Sequence, residues 1–310
     1  MERVFLTGAT GVIGRQVLPA LLRLGHRVTA VGRSPQKRER LAALGADAIE
    51  LDPYDADAVR RVVGGHSVVI NLATHMPSST FAMMLPWAWR ENDRVRRDAS
   101  AILAGAAIAA GVRRFVQESF APVYEDGGDR WIDERWPVRP VSYNRTVLDA
   151  ERSAQRVTDS GAMGIVLRFA WFYGRDRILR DMANVVRRGW SPIPGEPTAY
   201  WSSISHDDAA AAVVASLDAP AGSYNVCDDE PLTRAAFTGV IAEGIGARPP
   251  RPMPAWLTKL GGSTMELLSR SLRMSNAKLK SVVEWKLEYP SAKEGVAAAL
   301  NGPSATRPRS

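Results

Sequence analysis

The stretch Thr7-Gly8-Ala9-Thr10-Gly11-Val12-Ile13-Gly14 decides the fold, because it joins a strand-like segment to a helical one. The apolar run Val4–Thr7 precedes it, and a helical pattern continues from about Val12 to Leu24. Glycine permits a tight turn and lets a phosphate approach the backbone closely. A helix that begins there directs free N–H groups at that phosphate. The context predicts a dinucleotide-binding turn, with a turn that holds no ligand as the alternative. The predicted contacts are Gly8, Thr10, Gly11, Val12, Ile13 and Gly14.

The end of the second predicted strand, Arg27–Val31, indicates which dinucleotide is bound. Sites that select NAD place an acidic residue here, where it accepts hydrogen bonds from the ribose hydroxyls. This chain continues Gly-Arg-Ser-Pro-Gln-Lys over 32–37 and offers no acid. Arg33 has a guanidinium suited to a 2′-phosphate, and Ser34 and Lys37 are further donors. We therefore expect NADP in preference to NAD, with a solvent-facing Arg33 as the alternative.

Two later strand ends complete the predicted nucleotide site. Asp52 follows the third strand, where a carboxylate can meet the adenine amino group, although it can equally cap the following turn. Leu72, Ala73 and Thr74 follow Asn71 at the end of the fourth strand, where the chain runs beside the nucleotide.

Strands and helices alternate through the first half of the chain, which predicts an α/β fold with a doubly wound parallel sheet of the Rossmann type. We expect residues 1–174 to form this domain and 203–226 to return to it. Residues 175–202 and 227–301 are expected to form a smaller C-terminal substrate-binding lobe, and 302–310 a disordered tail. The predicted strands are Val4–Thr7, Arg27–Val31, Ala48–Leu51, Ser67–Ala73, Phe115–Ser119 and Gly164–Phe169.

Composition excludes several classes of protein. The formal net charge of +7 is spread among interleaved acids, which favours a phosphate-bearing ligand over nucleic acid. No apolar stretch reaches the roughly 20 residues of a membrane span. Because a strand-like segment follows Met1 directly, we expect no signal peptide. One cysteine, Cys227, and four dispersed histidines offer no metal site. We expect a cytoplasmic protein with a small-molecule substrate, and a homodimer is compatible with the sequence.

Further motifs resemble the short-chain dehydrogenase/reductase superfamily, in its extended and atypical branch of NAD(P)-dependent epimerases and dehydratases. They are GRSP at 32–35, NLAT at 71–74, ESFAPVYEDG at 118–127, SYNRTVLDAE at 142–151, LRFAWFYG at 167–174, ISHDDAAAA at 204–212 and YNVCDDEPLT at 224–233. The resemblance implies a catalytic Ser or Thr, a Tyr, and a Lys four residues after that Tyr.

This catalytic set is degenerate in the present chain. Tyr143 matches the tyrosine, whereas Val147 stands at the lysine position and Phe120 at the serine position, with Ser119 one residue earlier. Without a neighbouring lysine, a phenol of ordinary pKa near ~10 stays protonated and is a poor base. We expect Tyr143, Ser119 and Glu118 to be the catalytic residues, Glu118 as an acid or base or instead as a salt-bridged structural residue.

The sequence therefore predicts an NADP-dependent oxidoreductase, similar to a carbonyl reductase or epimerase, with atypical catalytic residues. A non-redox isomerase, cyclase or lyase, and a non-catalytic NADP-sensing or scaffold protein, remain open. Aromatic side chains at expected strand ends favour a small apolar or aromatic substrate. They are Trp87, Trp89, Phe120, Tyr124, Trp131, Trp171 and Tyr173.

Overall fold

The computed structural model describes residues 1–77, 85–142, 144–253 and 262–302. In chain order, its strands are β1 (Arg3–Thr7), β2 (Arg27–Val31), β3 (Asp47–Ile49), β4 (Val68–Asn71), β5 (Arg114–Phe120), β6 (Trp131–Ile132), β7 (Met163–Phe169), β8 (Trp171–Tyr173), β9 (Tyr200–Trp201), β10 (Ser203–Ser205), β11 (Gly222–Val226), β12 (Leu232–Thr233) and β13 (Arg273–Met274).

The α-helices surround these strands. They are α1 (Gly14–Arg23), α2 (Pro35–Ala43), α3 (Ala56–Val63), α4 (Arg90–Arg94), α5 (Ser100–Ala109), α6 (Val147–Asp159), α7 (Arg177–Arg187), α8 (His206–Ala215), α9 (Arg234–Gly244), α10 (Gly262–Ser269), α11 (Ala277–Val282) and α12 (Ala292–Asn301). A π-helical turn, Val95–Ala99, joins α4 to α5. None of the helices in these described ranges combines the length and apolar character that crossing a membrane requires.

Seven parallel strands form the central sheet, in the order β11-β7-β5-β4-β1-β2-β3. The strand order reverses direction between β1 and β4, and ligands of doubly wound sheets bind at the carboxyl ends of strands beside such a switch point. The predicted fold class is therefore confirmed.

Two apolar layers cover the sheet, because alternate residues of each strand point to opposite faces. Val4 and Leu6 of β1 pack with Val17 and Leu21 of α1 on one face. Phe5 packs on the other face, with residues of α3, α5 and α6. A third cluster joins α7, α9 and α12 to the short strands β8 and β9 outside the sheet. This cluster is the core of the structure that follows the nucleotide-binding half.

The sequence patterns fail mainly beyond residue 174. Helices α7, α9 and α12 were not predicted. The sequence over Ala255–Arg273 predicts a single helix, and this prediction is wrong at its end, because α10 stops at Ser269 and β13 follows. Its first residues, to 261, lie outside the described part, as do Tyr143 and positions 303–310 of the predicted tail.

Candidate active site

The glycine turn is compressed to a degree that only glycine allows. Gly8 has φ +71°, and its carbonyl accepts a hydrogen bond of 2.9 Å from the Gly11 amide. A Cβ on Gly14 would lie 2.1 Å from the Gly8 oxygen, and one on Gly8 would lie 2.3 Å from the Leu72 oxygen. The N-terminus of α1 has no side-chain cap, so its first amides are available to a phosphate.

A buried polar cluster fixes the strand ends beside this turn. Thr7 donates to the Asn71 oxygen at 2.6 Å. The Asn71 amide donates to Gln117 at 2.9 Å and to Ser100 at 3.1 Å. These bonds tie β1, β4 and β5 together at their carboxyl ends, where the nucleotide binds in this class of fold. Thr7 and Asn71 begin the motifs at 7–14 and 71–74, but the cluster was not predicted from the sequence, because its members come from distant segments and meet only in the folded sheet.

The end of β2 places its cationic residues at the surface. Arg33 is exposed, and Ser34 caps α2 by accepting from the Lys37 amide at 3.3 Å. Arg38 lies over Gly32 and pairs with Glu50 at 2.9 Å. Arg33 is therefore held beside the N-terminus of α2, where a phosphate also meets free helix amides.

Replacing Arg33 with alanine is expected to weaken NADPH binding and leave NADH binding unchanged. A hydrogen bond to a charged group contributes about 1.5–3 kcal/mol, which corresponds to a roughly 10- to 100-fold rise in the NADPH Kd. Titration followed by nicotinamide fluorescence measures both constants. Arg40→Ala, which removes an exposed arginine from the adjoining helix α2, is the matched control. An equal loss for both dinucleotides would show that Arg33 does not read the 2′-phosphate.

The remaining predicted nucleotide contacts lie along the same edge. Asp52 is exposed, and one carboxylate oxygen caps the following turn by accepting from the Tyr54 amide at 3.0 Å. Leu72 is buried against the glycine turn, and Ala73 and Thr74 are half-buried. The turn-capping alternative for Asp52 is thus observed, and its adenine contact stays a prediction.

Apolar side chains occupy two positions of the family's catalytic set. Val147 begins α6 and is fully buried. Phe120 ends β5 and packs edge-on against Trp171, with ring centroids 5.0 Å apart. Tyr143 lies outside the described residues. Neither Val147 nor Phe120 can donate a proton or hold a phenolate, and their assignment to the catalytic lysine and serine positions stays a prediction of the resemblance.

Ser119 belongs to a buried hydrogen-bonded network. Its hydroxyl donates to Glu151 at 2.5 Å. Glu151 also receives both arms of the Arg168 guanidinium, at 2.8 and 2.7 Å, and Arg168 donates to the Tyr124 hydroxyl at 2.9 Å. The network joins β5, α6 and β7. In the structure, the Ser119 hydroxyl helps to join β5 to α6 through Glu151. Its catalytic role stays a prediction.

Glu118 is likewise paired. Its carboxylate lies 3.0 Å from the Arg96 guanidinium, and both side chains are almost entirely buried. Arg96 comes from the π-helical turn that joins α4 to α5. The salt-bridged alternative for Glu118 is therefore the arrangement present in the structure, whereas its role as an acid or base stays a prediction.

Aromatic rings pack together at the end of β5. Trp171 stacks on Trp201, with ring centroids 4.4 Å apart and planes inclined by 6°. Phe120 packs edge-on against Trp171. Tyr124 is instead buried in the Arg168 network, and Trp131 is exposed under Arg273. Trp201 was not predicted to join the site, since 30 residues separate it from Trp171.

A polar cavity of about 500 Å³ lies beside the N-termini of α1 and α8. His206 forms part of its wall, with Nε2 3.4 Å from Asp176. Burial lowers the pKa of His206 despite that carboxylate, so the ring is neutral near pH 7. Asp208 accepts from the amides of Glu288 and Tyr289. Asp208 therefore holds the segment around Glu288 and Tyr289 against the first turn of α8.

Comparison with known proteins agrees with this geometry. The family model described as NAD(P)H-binding matches residues 8–220. The chain is 32% identical to a 3-diazoavenalumate denitrifying reductase from Streptomyces sp., over 95% of this chain and 99% of that protein. It is 30% identical to a dTDP-4-dehydrorhamnose reductase from Streptomyces griseus, over 81% of this chain and 79% of that protein.

The solved structures give the same fold. A human epimerase family protein determined with NADPH superposes with a TM-score of 0.79 at 20% identity, over 97% of this chain and 100% of that one. A Thermus thermophilus UDP-glucose 4-epimerase in complex with NAD superposes with a TM-score of 0.76 at 22% identity, over 96% of this chain and 97% of that one. The chain therefore belongs to the NAD(P)H-binding family and is an oxidoreductase of the short-chain dehydrogenase/reductase type.

Proposed function

We propose that this protein is an NADPH-dependent reductase that transfers hydride to an electrophile needing no proton from the enzyme, an aryl diazo compound in its diazonium form. The observation that carries the proposal is the replacement of the family's lysine and serine by Val147 and Phe120, in a chain that keeps the glycine turn. The reductase of a diazo compound among its relatives supports it.

The proposed reaction balances without a catalytic acid. Hydride from NADPH adds to the terminal nitrogen of the diazonium group, which gives an aryl diazene and NADP⁺. The carbon–nitrogen bond then breaks, dinitrogen leaves, and the N–H proton passes to solvent while a solvent proton reaches the ring carbon. A carbonyl group, in contrast, develops negative charge on oxygen as hydride arrives and needs a proton donor.

A valine at position 147 also suits a cationic substrate. An ammonium group near the reacting atoms would repel a diazonium ion, by roughly 4 kcal/mol for like charges about 4 Å apart at an effective dielectric constant of about 20. Val147 carries no such charge, and aromatic rings such as those of Phe120 and Trp171 have electron-rich faces, which attract cations.

Tyr143 distinguishes this proposal from carbonyl reduction. Tyr143→Phe is expected to keep diazonium turnover within about threefold, because no proton moves in the hydride step. The same change would slow a carbonyl reductase roughly 100- to 10,000-fold. NADPH oxidation by 2-diazoniophenolate, with dinitrogen release measured by mass spectrometry, tests this. Wild-type protein that consumes no NADPH with this probe, or a 100-fold loss in Tyr143→Phe, would overturn the proposal.

Carbonyl reduction is the second candidate, since the family's tyrosine is retained at position 143 and several relatives are ketone-forming or ketone-reducing enzymes by name. Under this alternative, NADPH would be oxidised by aryl aldehydes and ketones and not by the diazonium probe.

A further inference from the structure

A buried arginine with unpaired donors begins helix α9. Arg234 is 1% exposed. Its Nη2 donates to the carbonyls of Leu268 and Arg270, both at 2.7 Å. Its Nε and Nη1, which carry three of the five guanidinium N–H groups, have no acceptor among the residues that the structure describes. Unpaired buried donors are costly, so the side chain is adapted to a partner supplied from elsewhere.

Nothing on its own helix balances the charge of Arg234. The N-terminus of α9 carries a positive dipole end, and Thr233 already caps it by accepting from the Ala236 amide. The acids that act on Arg234 are Asp126 and Glu196, both exposed. Burial lowers the pKa of Arg234 to about 10, so the guanidinium remains charged near pH 7.

Arg234 lies at the end of the aromatic row that starts at the family's serine position. Its Cζ is 5.6 Å from the Trp201 ring centre, Trp201 stacks on Trp171, and Phe120 meets Trp171 edge-on. Gly195 approaches the guanidinium so closely that a Cβ would lie 3.3 Å from Cζ. Because Gly195 has no side chain, its backbone lies directly against the buried guanidinium.

We infer that Arg234 binds the carboxylate of the substrate, and that the substrate is an aryl carboxylate whose ring packs along Phe120 and Trp171. This inference rests on the proposed function, because the same ring must present its reactive group to the nicotinamide. Arginine and carboxylate form short, charge-assisted hydrogen bonds, and a stacked aromatic wall selects a flat ligand. The length of the aromatic row then sets the distance between the reactive group of the substrate and its carboxylate.

Paired probes that differ only in charge test the inference. Calorimetric titration of the NADP⁺-loaded protein compares 4-hydroxycinnamate with 4-hydroxycinnamamide. We expect the carboxylate to bind wild-type protein at least tenfold more tightly than the amide. Arg234→Met is expected to abolish this preference and leave the amide affinity within threefold. Arg130→Met, which removes an exposed arginine stacked on Trp136, keeps the preference and controls for net charge.

Equal binding of acid and amide by wild-type protein, or an unchanged preference in Arg234→Met, would overturn the inference. The wild-type comparison needs no variant, so it decides the matter even where Arg234→Met does not fold. Turnover of 2-diazoniophenolate, which has no carboxylate, is measured separately. If the protein turns over 2-diazoniophenolate but shows no preference for the acid over the amide, the role of Arg234 is rejected and the proposed reaction stands. If the acid preference depends on Arg234 but 2-diazoniophenolate is not turned over, the proposed reaction is rejected and the carboxylate site stands.

Discussion

Replacing Gly14 with alanine is expected to raise the NADPH Kd by more than 100-fold and to lower the unfolding temperature. The added methyl carbon would lie 2.1 Å from the Gly8 oxygen and 2.7 Å from the Ala9 Cα. Both are backbone atoms, so the turn must open by about 1 Å, and a displacement of that size typically costs about a hundredfold in positioned chemistry. Nicotinamide fluorescence and a thermal melt measure the two effects.

Gly105→Ala is the control for this prediction. Gly105 lies within α5, and a Cβ there meets nothing within 4 Å. Alanine is favoured over glycine inside a helix by roughly 0.5–1 kcal/mol, so this variant is expected to bind NADPH normally and to be slightly more stable. If Gly14→Ala binds NADPH with a Kd within threefold of the wild-type value, the glycine turn does not form the phosphate site.

Glu151→Ala is expected to destabilise the fold by about 3–5 kcal/mol, because it leaves the Arg168 charge buried without a partner. Burial alone would lower the pKa of Arg168, yet its hydrogen bonds to Glu151 raise it above the usual arginine range. The same change removes the acceptor of the Ser119 hydroxyl. Denaturation in urea at pH 7 measures the loss.

Two further variants separate charge from packing in this network. Glu151→Ala combined with Arg168→Met removes both charges and is expected to recover much of the loss. Glu284→Ala breaks the exposed pair with Lys286 and is expected to change stability by less than 1 kcal/mol. A loss below 1 kcal/mol in Glu151→Ala would mean that Arg168 finds another partner or reaches water.

The sequence predicts the nucleotide-binding half well for a physical reason. Its glycine spacing and its apolar strands are local patterns, and parallel strands must place the turn at the carboxyl edge of the sheet. The placement of Val147 and Phe120 in the catalytic set rests on the family resemblance and stays a prediction. The Thr7–Asn71 hydrogen bond joins residues that are 64 positions apart in the sequence, so no local pattern predicts it.

The substrate side was less predictable, since its groups meet only through tertiary packing. A local signal for α9 is present nonetheless: Thr233 can cap a helix, and Phe237 and Ile241 follow at a spacing of four residues. Arg234 is buried by contacts with Gly195 and with the end of α10, which lie far from it in the sequence, so no local pattern predicts that burial.

The order in which the sheet is completed has a consequence for synthesis. Strand β7 is made well before β11, its only neighbour on that side, and β8, α7, β9, β10 and α8 are translated between them. A growing chain therefore exposes β7 as an open, apolar sheet edge for that interval, and such edges recruit strands of other chains. Slow translation through residues 170–221 should consequently favour aggregation, and holdase chaperones should be most useful to this protein during that interval.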